Sequence, residues 1–133
     1  MSKIKKPQDK PAGKIAPREV PGVSYQDEPP KFSLRYIQPD YCITKCEHDD
    51  QLQFIQSMLK RRDVPWKALI TSPHEKLGCE VIRSLSIRTP ECAEGKSIIS
   101  FRFSGKKAMV GFRERDVFYI IWFDRDFSVY AHR

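Results

Sequence analysis

The sequence lacks the features that identify membrane-spanning proteins, disulfide scaffolds and proteins with a phosphate-binding loop. No apolar run approaches the roughly 20 residues that a membrane-spanning helix needs, and the N-terminus lacks the apolar core of a signal peptide. Four cysteines in 133 residues are too few for a disulfide scaffold, and the six glycines form no phosphate-binding loop. We therefore expect a soluble cytoplasmic protein with reduced thiols and no membrane partner.

The cysteines and histidines supply potential ligands without a typical metal-binding spacing. Cys42, Cys46 and His48, with His74 and Cys79 downstream, are enough ligands for zinc, but their spacing departs from that of paired zinc knuckles. A cysteine nucleophile beside either histidine is not favoured, because no spacing places a base and its orienting group together. The sequence therefore predicts buried thiols, no metal and no cofactor.

The charge is strongly basic and is distributed over two regions. The formal net charge of +7 favours polyanionic partners. Residues 1–31 carry seven Lys and Arg, four Asp and Glu, and six of the ten prolines. Such a segment buries too little apolar surface to offset its ordering entropy. We expect residues 1–31 to form a flexible basic arm, or a solvated leader without a specific role, and residues 32–133 to form a single domain.

The first half of that domain contains one strand pattern and two helix patterns. Apolar residues alternate over residues 32–37, which predicts a strand. An apolar stripe at helical spacing predicts an amphipathic helix over residues 51–62, with Asp49 or Asp50 as its cap. A second short helix is predicted over residues 65–70, where proline suits the first turn.

The second half is dominated by strand patterns. Residues 79–82 and 84–87 are weak candidates for short strands, and stronger patterns cover residues 99–104, 108–113 and 117–123. An acidic turn at residues 124–126 leads into a further alternating segment, residues 127–132. The order of elements predicts an α+β domain. We expect a small antiparallel sheet, made of the N-terminal strand and a C-terminal three-stranded meander, with the two helices on one face.

Ionisable side chains collect at the ends of these predicted strands. Ser128, Tyr130 and His132 alternate with apolar residues, so they would share one strand face. Basic residues occupy the two preceding turns and the last position of the sequence. These residues are Lys106, Lys107, Arg113, Arg115 and Arg133.

The C-terminal segment is the run RERDVFYIIWFDRDFSVYAHR, which begins at Arg113 and consists of an arginine, a short turn, an aromatic strand, an acidic turn and a closing strand with His or Tyr. This order resembles the C-terminal segment of the RelE/ParE superfamily of bacterial toxins. The resemblance is firm over about 25 residues, looser from Phe32 onward, and excludes residues 1–31. The family's Gly-x-Tyr-Arg is replaced here by Asp-Val-Phe-Tyr from Asp116.

The resemblance implies a small endoribonuclease that cuts messenger RNA in the ribosome without a metal. The 2′-hydroxyl would attack the adjacent phosphate, with His132 as acid or base and Tyr130 stacking on or orienting a base. Either Arg113 or Arg115 would stabilise the phosphate. An acidic antitoxin protein would neutralise such a toxin.

Further RNA contacts would come from lysines and from the last residue. Lys106 and Lys107 would anchor backbone phosphates, and Arg133 would add to the RNA-binding surface. The same residues also fit ordinary structural roles: a solvated chain end, a sheet-surface tyrosine and a turn with local ion pairs. A second hypothesis is therefore a non-catalytic basic module that binds nucleic acid or a protein such as a topoisomerase.

Overall fold

The structure, a computed structural model, describes residues 24–131, which form two α-helices, five strands and four short 3-10 helices within that range. The α-helices are α1 (His48–Arg61) and α2 (Trp66–Thr71). The strands are β1 (Lys31–Ser33), β2 (Cys79–Ile82), β3 (Ile98–Ser104), β4 (Lys107–Glu114) and β5 (Val117–Asp124). The 3-10 helices are Tyr25–Asp27, Pro39–Tyr41, Ile43–Lys45 and Glu91–Ala93.

The five strands form one sheet in the order β1-β5-β4-β3-β2. This arrangement confirms the predicted α+β class with a small sheet and two helices. The sheet is mixed, however, because β1 runs parallel to β5 while the other neighbours are antiparallel. Parallel pairing is possible here because two helices and β2 to β4 separate β1 from β5 along the chain, which is ample for a crossover.

The sheet is covered on both faces by different kinds of structure. On one face, which we call the helix face, α1 and α2 pack on an aromatic layer that includes Phe101, Phe118 and Phe123. On the other, which we call the loop face, irregular segments cover Val110, Trp122 and their neighbours. The core is thus two apolar layers separated by the sheet, as the continuous apolar pattern of β5 predicts.

The predicted strand over residues 127–132 is wrong for the part that the structure describes. The two places beside β5 are occupied by β1 and β4, so a following strand cannot pair with β5. The buried Asp124 carboxylate accepts hydrogen bonds from the amides of Ser128, at 2.8 Å, and Val129, at 3.1 Å. These bonds turn the chain back across the loop face, where the Val129 carbonyl accepts the Ser86 amide at 2.7 Å.

The first strand is shorter than the pattern over residues 32–37 predicts. After Ser33 the chain leaves the sheet edge and crosses the loop face, where Tyr36 stacks on Phe112 with ring centroids 6.0 Å apart. Tyr36 and Ile37 are therefore partly buried by packing on the sheet rather than within it, while Leu34 remains 45% exposed. Residues 24–31 were predicted to belong to the N-terminal arm, but they contact the domain. The Trp66 backbone amide donates to the Glu28 carbonyl at 2.9 Å.

The start of α1 also differs from the expected cap. The helix begins at His48 with Glu47 as its N-cap residue, and neither predicted aspartate caps it. Asp50 is buried instead, and it accepts hydrogen bonds from Ser104 Oγ and Lys107 Nζ, both at 2.7 Å. The Asp50 carboxylate therefore forms an ion pair with Lys107 instead of the helix cap that the local sequence pattern predicts. Of the two weak strand candidates, residues 79–82 form β2 and residues 84–87 form no strand.

Candidate functional site

A cleft of about 310 Å³ opens on the loop face beside the edge strand β2. Its lining is rich in groups that bind anions or transfer protons. The polar and charged residues in its walls are His74, Glu80, Arg83, Ser84, Arg102 and Tyr130. Such a concave site with several converging polar groups is the ordinary form of a ligand-binding site.

Strand pairing and the returning C-terminal segment bring these residues together. Glu80 of β2 is paired with Ser100 of β3, and Arg102 lies two residues further along β3 on the same face. Tyr130 arrives from the segment that Asp124 turns back over the sheet. His74 comes from the loop between α2 and β2. Four separate parts of the chain therefore supply the walls of the cleft.

A chain of hydrogen bonds connects the side chains at the base of the cleft. His74 Nδ1 lies 3.3 Å from Glu80 Oε1, His74 Nε2 lies 3.3 Å from Ser100 Oγ, and Ser100 Oγ lies 3.3 Å from the Tyr130 hydroxyl. A carboxylate only accepts, so the Nδ1 proton belongs to the bond with Glu80. In the neutral ring Nε2 then accepts from Ser100, and Ser100 accepts from Tyr130.

The network has a buried end and an end that is open to solvent. Ser100 is fully buried, at 0% exposure, and Tyr130 is 5% exposed, while the Glu80 side chain is about half exposed. Burial raises the pKa of the Tyr130 hydroxyl above its usual value of 10.0, so Tyr130 stays protonated at neutral pH. His74 Nε2 therefore faces the two buried, neutral hydroxyls, and His74 Nδ1 faces an exposed carboxylate.

This arrangement can bind an anion and move a proton beside it. The two arginines of the lining give the cleft positive charge, and Glu80 orients the imidazole as a carboxylate does in acid–base sites. Ser100 has no solvent-exposed surface, so it is not placed to attack a ligand. Separations of 3.3 Å are long for hydrogen bonds between side chains and can shorten when a ligand fills the site.

Among the predicted site residues that the structure describes, Tyr130 is the one that lies in this cleft. Ala131, the last described residue, also lines it. His132 and Arg133, which follow in the sequence, lie outside the described residues.

The predicted arginines lie at the turn between β4 and β5. Arg113 lies on the helix face, with its guanidinium carbon 4.3 Å from the ring centroid of Trp66, and its Nε donates to the Arg115 carbonyl at 2.6 Å. Burial lowers the pKa of Arg113 below its ordinary value. Arg115 is exposed and has a left-handed φ of 57°. Both side chains thus belong to a turn that packs on α2.

The predicted lysines lie at the other end of β4. Lys107 forms the ion pair with Asp50, and Lys106 is exposed at the hairpin tip. Six residues of strand separate Lys107 from Arg113, which corresponds to about 20 Å. The structure therefore does not bring the predicted lysines and arginines into one site.

Six polar residues of the cleft and its network were not predicted as site residues, although His74 was considered as a zinc ligand and as a base for a cysteine. They are His74, Glu80, Arg83, Ser84, Ser100 and Arg102. The alternation in β3 does place Ser100 and Arg102 on one face, but only the pairing of β2 with β3 brings Glu80 beside them. That pairing joins segments about 20 residues apart, and the weak strand pattern of β2 gave no register for it.

The cysteines and histidines do not form a metal site in the described part of the chain. Within residues 24–131, no group of three or more Cys, His, Asp or Glu side chains is placed to hold a metal ion. All four cysteines are free thiols, and burial raises the pKa of Cys79 above 9.0. In the same range, no helix is both long and apolar enough to cross a membrane.

Comparisons with protein-family models, with curated proteins and with solved structures found no match to this chain. The resemblance to the RelE/ParE superfamily therefore stays a prediction from the C-terminal sequence. The functional argument rests on the geometry of the cleft.

Proposed function

We propose that this protein is a metal-independent endoribonuclease and that it cuts RNA in the cleft beside β2. One observation carries the proposal: His74 is held between Glu80 and Ser100 in the wall of a cleft that two arginines also line. An oriented acid–base group in a cleft that also contains cations is what the cleavage of a phosphodiester by its own 2′-hydroxyl requires.

The reaction uses His74 in both proton transfers. His74 Nε2 exchanges its hydrogen bond with Ser100 for one with the 2′-hydroxyl and takes the 2′-hydroxyl proton, O2′ attacks phosphorus, and the bond from phosphorus to O5′ breaks. The departing O5′ receives the proton from the imidazolium, so the products are a 2′,3′-cyclic phosphate and a 5′-hydroxyl. Glu80 accepts the Nδ1 hydrogen bond and stabilises the imidazolium between the two transfers.

The other cleft residues bind the substrate phosphate or position His74. Arg83 and Arg102 neutralise the phosphate and the additional charge of the phosphorane. Tyr130 is a positioning residue, because its hydroxyl donates to Ser100 and Ser100 donates to His74. Since Ser100 is buried, the nucleophile comes from the substrate, and RNA carries one next to every phosphate.

The biological setting that we propose follows the sequence resemblance. The protein would act in the cytoplasm on messenger RNA bound to the ribosome, and an acidic antitoxin protein would inhibit it. The net charge of +7 supports both interactions, because RNA and an acidic inhibitor are polyanions.

The chain's three histidines provide a matched test. We expect purified protein to cut an RNA oligonucleotide, alone or on ribosomes, and to leave 2′,3′-cyclic phosphate ends. An oligonucleotide with 2′-deoxyribose at the cut site should resist cleavage. His74→Ala should slow cleavage by about 100-fold or more. His48→Ala is the control, because His48 is exposed at the start of α1.

His132→Ala forms the third arm of the same experiment. If His132→Ala abolishes cleavage and His74→Ala does not, the catalytic group is the one that the resemblance predicts, and our site is wrong. If the wild-type protein binds RNA across a salt titration but never cuts it, the non-catalytic basic module replaces the enzyme.

A further inference from the structure

Helix α1 has a second apolar face that the domain does not cover. Phe54, Ser57 and Arg61 are buried against the sheet side of the helix. On the opposite side, large apolar side chains remain about half exposed: Leu52 at 53%, Ile55 at 51% and Leu59 at 50%. Three such residues on one face exceed the scattered exposed apolar residues that are normal on a protein surface.

The spacing of this outer face is that of a coiled-coil seam. The residues at positions 48, 52, 55, 59 and 62 follow each other at intervals of four, three, four and three. They are His48, Leu52, Ile55, Leu59 and Arg62, and all five are exposed. The apolar residues are therefore in the centre of the seam, and polar residues are at both ends.

The charges along α1 are complementary to those of a second, antiparallel copy. Glu47 and Asp49 lie at the start of the helix, and Lys60 and Arg62 lie at its end. In an antiparallel pair the acidic start of each helix faces the basic end of the other, and the helix dipoles also oppose. A parallel pair would place like charges together at both ends.

We propose that two copies of this chain form a dimer through antiparallel packing of α1 on α1. Leu52 then lies opposite Leu59 of the partner subunit, and Ile55 lies beside the two-fold axis. Asp49 lies near Arg62 of the partner subunit. The existing contact of Arg62 with Asp63 is weak, at 3.7 Å between exposed side chains, so Arg62 can exchange it for the new one.

This inference goes beyond the proposed function and does not depend on it. Helix α1 packs on the helix face, whereas the cleft opens on the loop face. Each subunit of the dimer therefore keeps its own cleft open to solvent.

Sedimentation equilibrium of the full chain tests the dimer. We expect the measured mass to rise with concentration from 15.6 kDa towards twice that value. Ile55→Glu should weaken association by at least about tenfold, because it places two carboxylates beside the axis. Ile70→Glu is the matched control, since Ile70 is 46% exposed on α2 and outside the seam. A wild-type mass that stays at the monomer value, or equal effects of both variants, would overturn the proposal.

Charge reversal tests the antiparallel arrangement. Asp49→Arg alone and Arg62→Asp alone should each weaken the dimer, because each brings like charges together across the interface. The double variant should restore association, since the two charges have only exchanged places. Circular dichroism and thermal unfolding should show that all variants fold. If the double variant is weaker than both single variants, the antiparallel arrangement is wrong.

Discussion

The two faces of the sheet both bury polar groups, but they use them differently. On the helix face, the Arg61 guanidinium donates to the Leu77 carbonyl at 3.0 Å and the Ser57 carbonyl at 3.1 Å, and it stacks on Phe101. On the loop face, the buried Ser100 and Tyr130 hydroxyls lead through His74 to an open cleft. The first set of bonds stabilises the fold, and the second reaches a place where a ligand can bind.

This difference shows that burial and a perturbed pKa do not by themselves indicate a functional group. Burial lowers the pKa of Arg61 to about 10, yet its bonds run to backbone carbonyls and to Ser57 and hold α1 on the loop before β2. His74 is less buried than Arg61, but it borders a cavity lined by further charged groups. The useful criterion is whether a polar network ends at a space that a ligand can enter.

The largest effect on the free energy of unfolding is expected when the hydrogen bonds of Arg61 on the helix face are removed. Arg61→Ala should lower the free energy of unfolding by about 3 to 4 kcal/mol, because it orphans buried carbonyl groups and leaves a cavity beside Phe101. Arg62→Ala is the adjacent control and, at protein concentrations too low for the proposed dimer, should cost less than about 0.5 kcal/mol, since its side chain is 67% exposed. Urea unfolding of the three proteins measures both values. Equal losses for the two arginines would show that the network is not structural.

The second prediction concerns the loop face. Arg102→Ala should slow RNA cleavage by about 100-fold, equivalent to about 2.7 kcal/mol, because it removes a cation from the phosphate site. Arg113→Ala should chiefly lower stability by about 1 kcal/mol, since it removes the stacking on Trp66. Single-turnover rates and urea unfolding separate the two effects. The opposite result, with Arg113 controlling the rate, would move the site to the turn between β4 and β5.

The smallest expected effect concerns the pair of Asp50 and Lys107 and depends on pH. Burial tends to raise the pKa of Asp50, but hydrogen bonds from Lys107 and Ser104 outweigh it and hold that pKa below 3.8. The pair therefore contributes fully above pH 3.8, and the contribution disappears as the pH falls through the lower folded-state pKa. Asp50→Ala should cost about 2 kcal/mol at neutral pH.

The adjacent residue provides the control for that prediction. At protein concentrations too low for the proposed dimer, Asp49→Ala should cost about 0.5 kcal/mol, because Asp49 of the monomer is exposed and lies in the first turn, where it interacts with the helix dipole. The difference between the two variants should shrink as urea unfolding is repeated at pH values down to about 2. A difference that stays constant over this range would mean that the Asp50 carboxylate charge is not what stabilises the fold.

Sequence patterns were sufficient for the elements that are defined by local periodicity. The apolar stripe of residues 51–62 and the alternation and aromatic run over residues 99–123 correspond to α1 and to β3, β4 and β5. In the strands these patterns also report which side is buried. In α1 they do not, because Phe54, Ser57 and Arg61 are buried while Leu52, Ile55 and Leu59 of the stripe are about half exposed. Local patterns also do not report which neighbour covers an element, and for that reason the parallel pairing of β1 was missed.

The candidate site could be predicted only in small part, because it depends on long-range contacts. Tyr130 was identified as a site residue, but through its place in a strand that does not form. Asp124 positions Tyr130, because its carboxylate accepts hydrogen bonds from two backbone amides and the chain then turns back over the sheet. His74 lies in a loop without a recognisable pattern, and Glu80 lies in a weakly patterned strand, where a one-residue change of register would reverse its face.

The central claim is that RNA phosphate binds in the cleft on the loop face. An NMR titration of isotope-labelled protein with an uncleavable 2′-O-methyl oligoribonucleotide tests it most directly. We expect the largest amide shifts in residues 80–84, 100–102 and 128–131, and much smaller shifts for Arg102→Ala protein. Shifts concentrated in residues 105–107 and 113–116, with the cleft amides unchanged, would contradict the account.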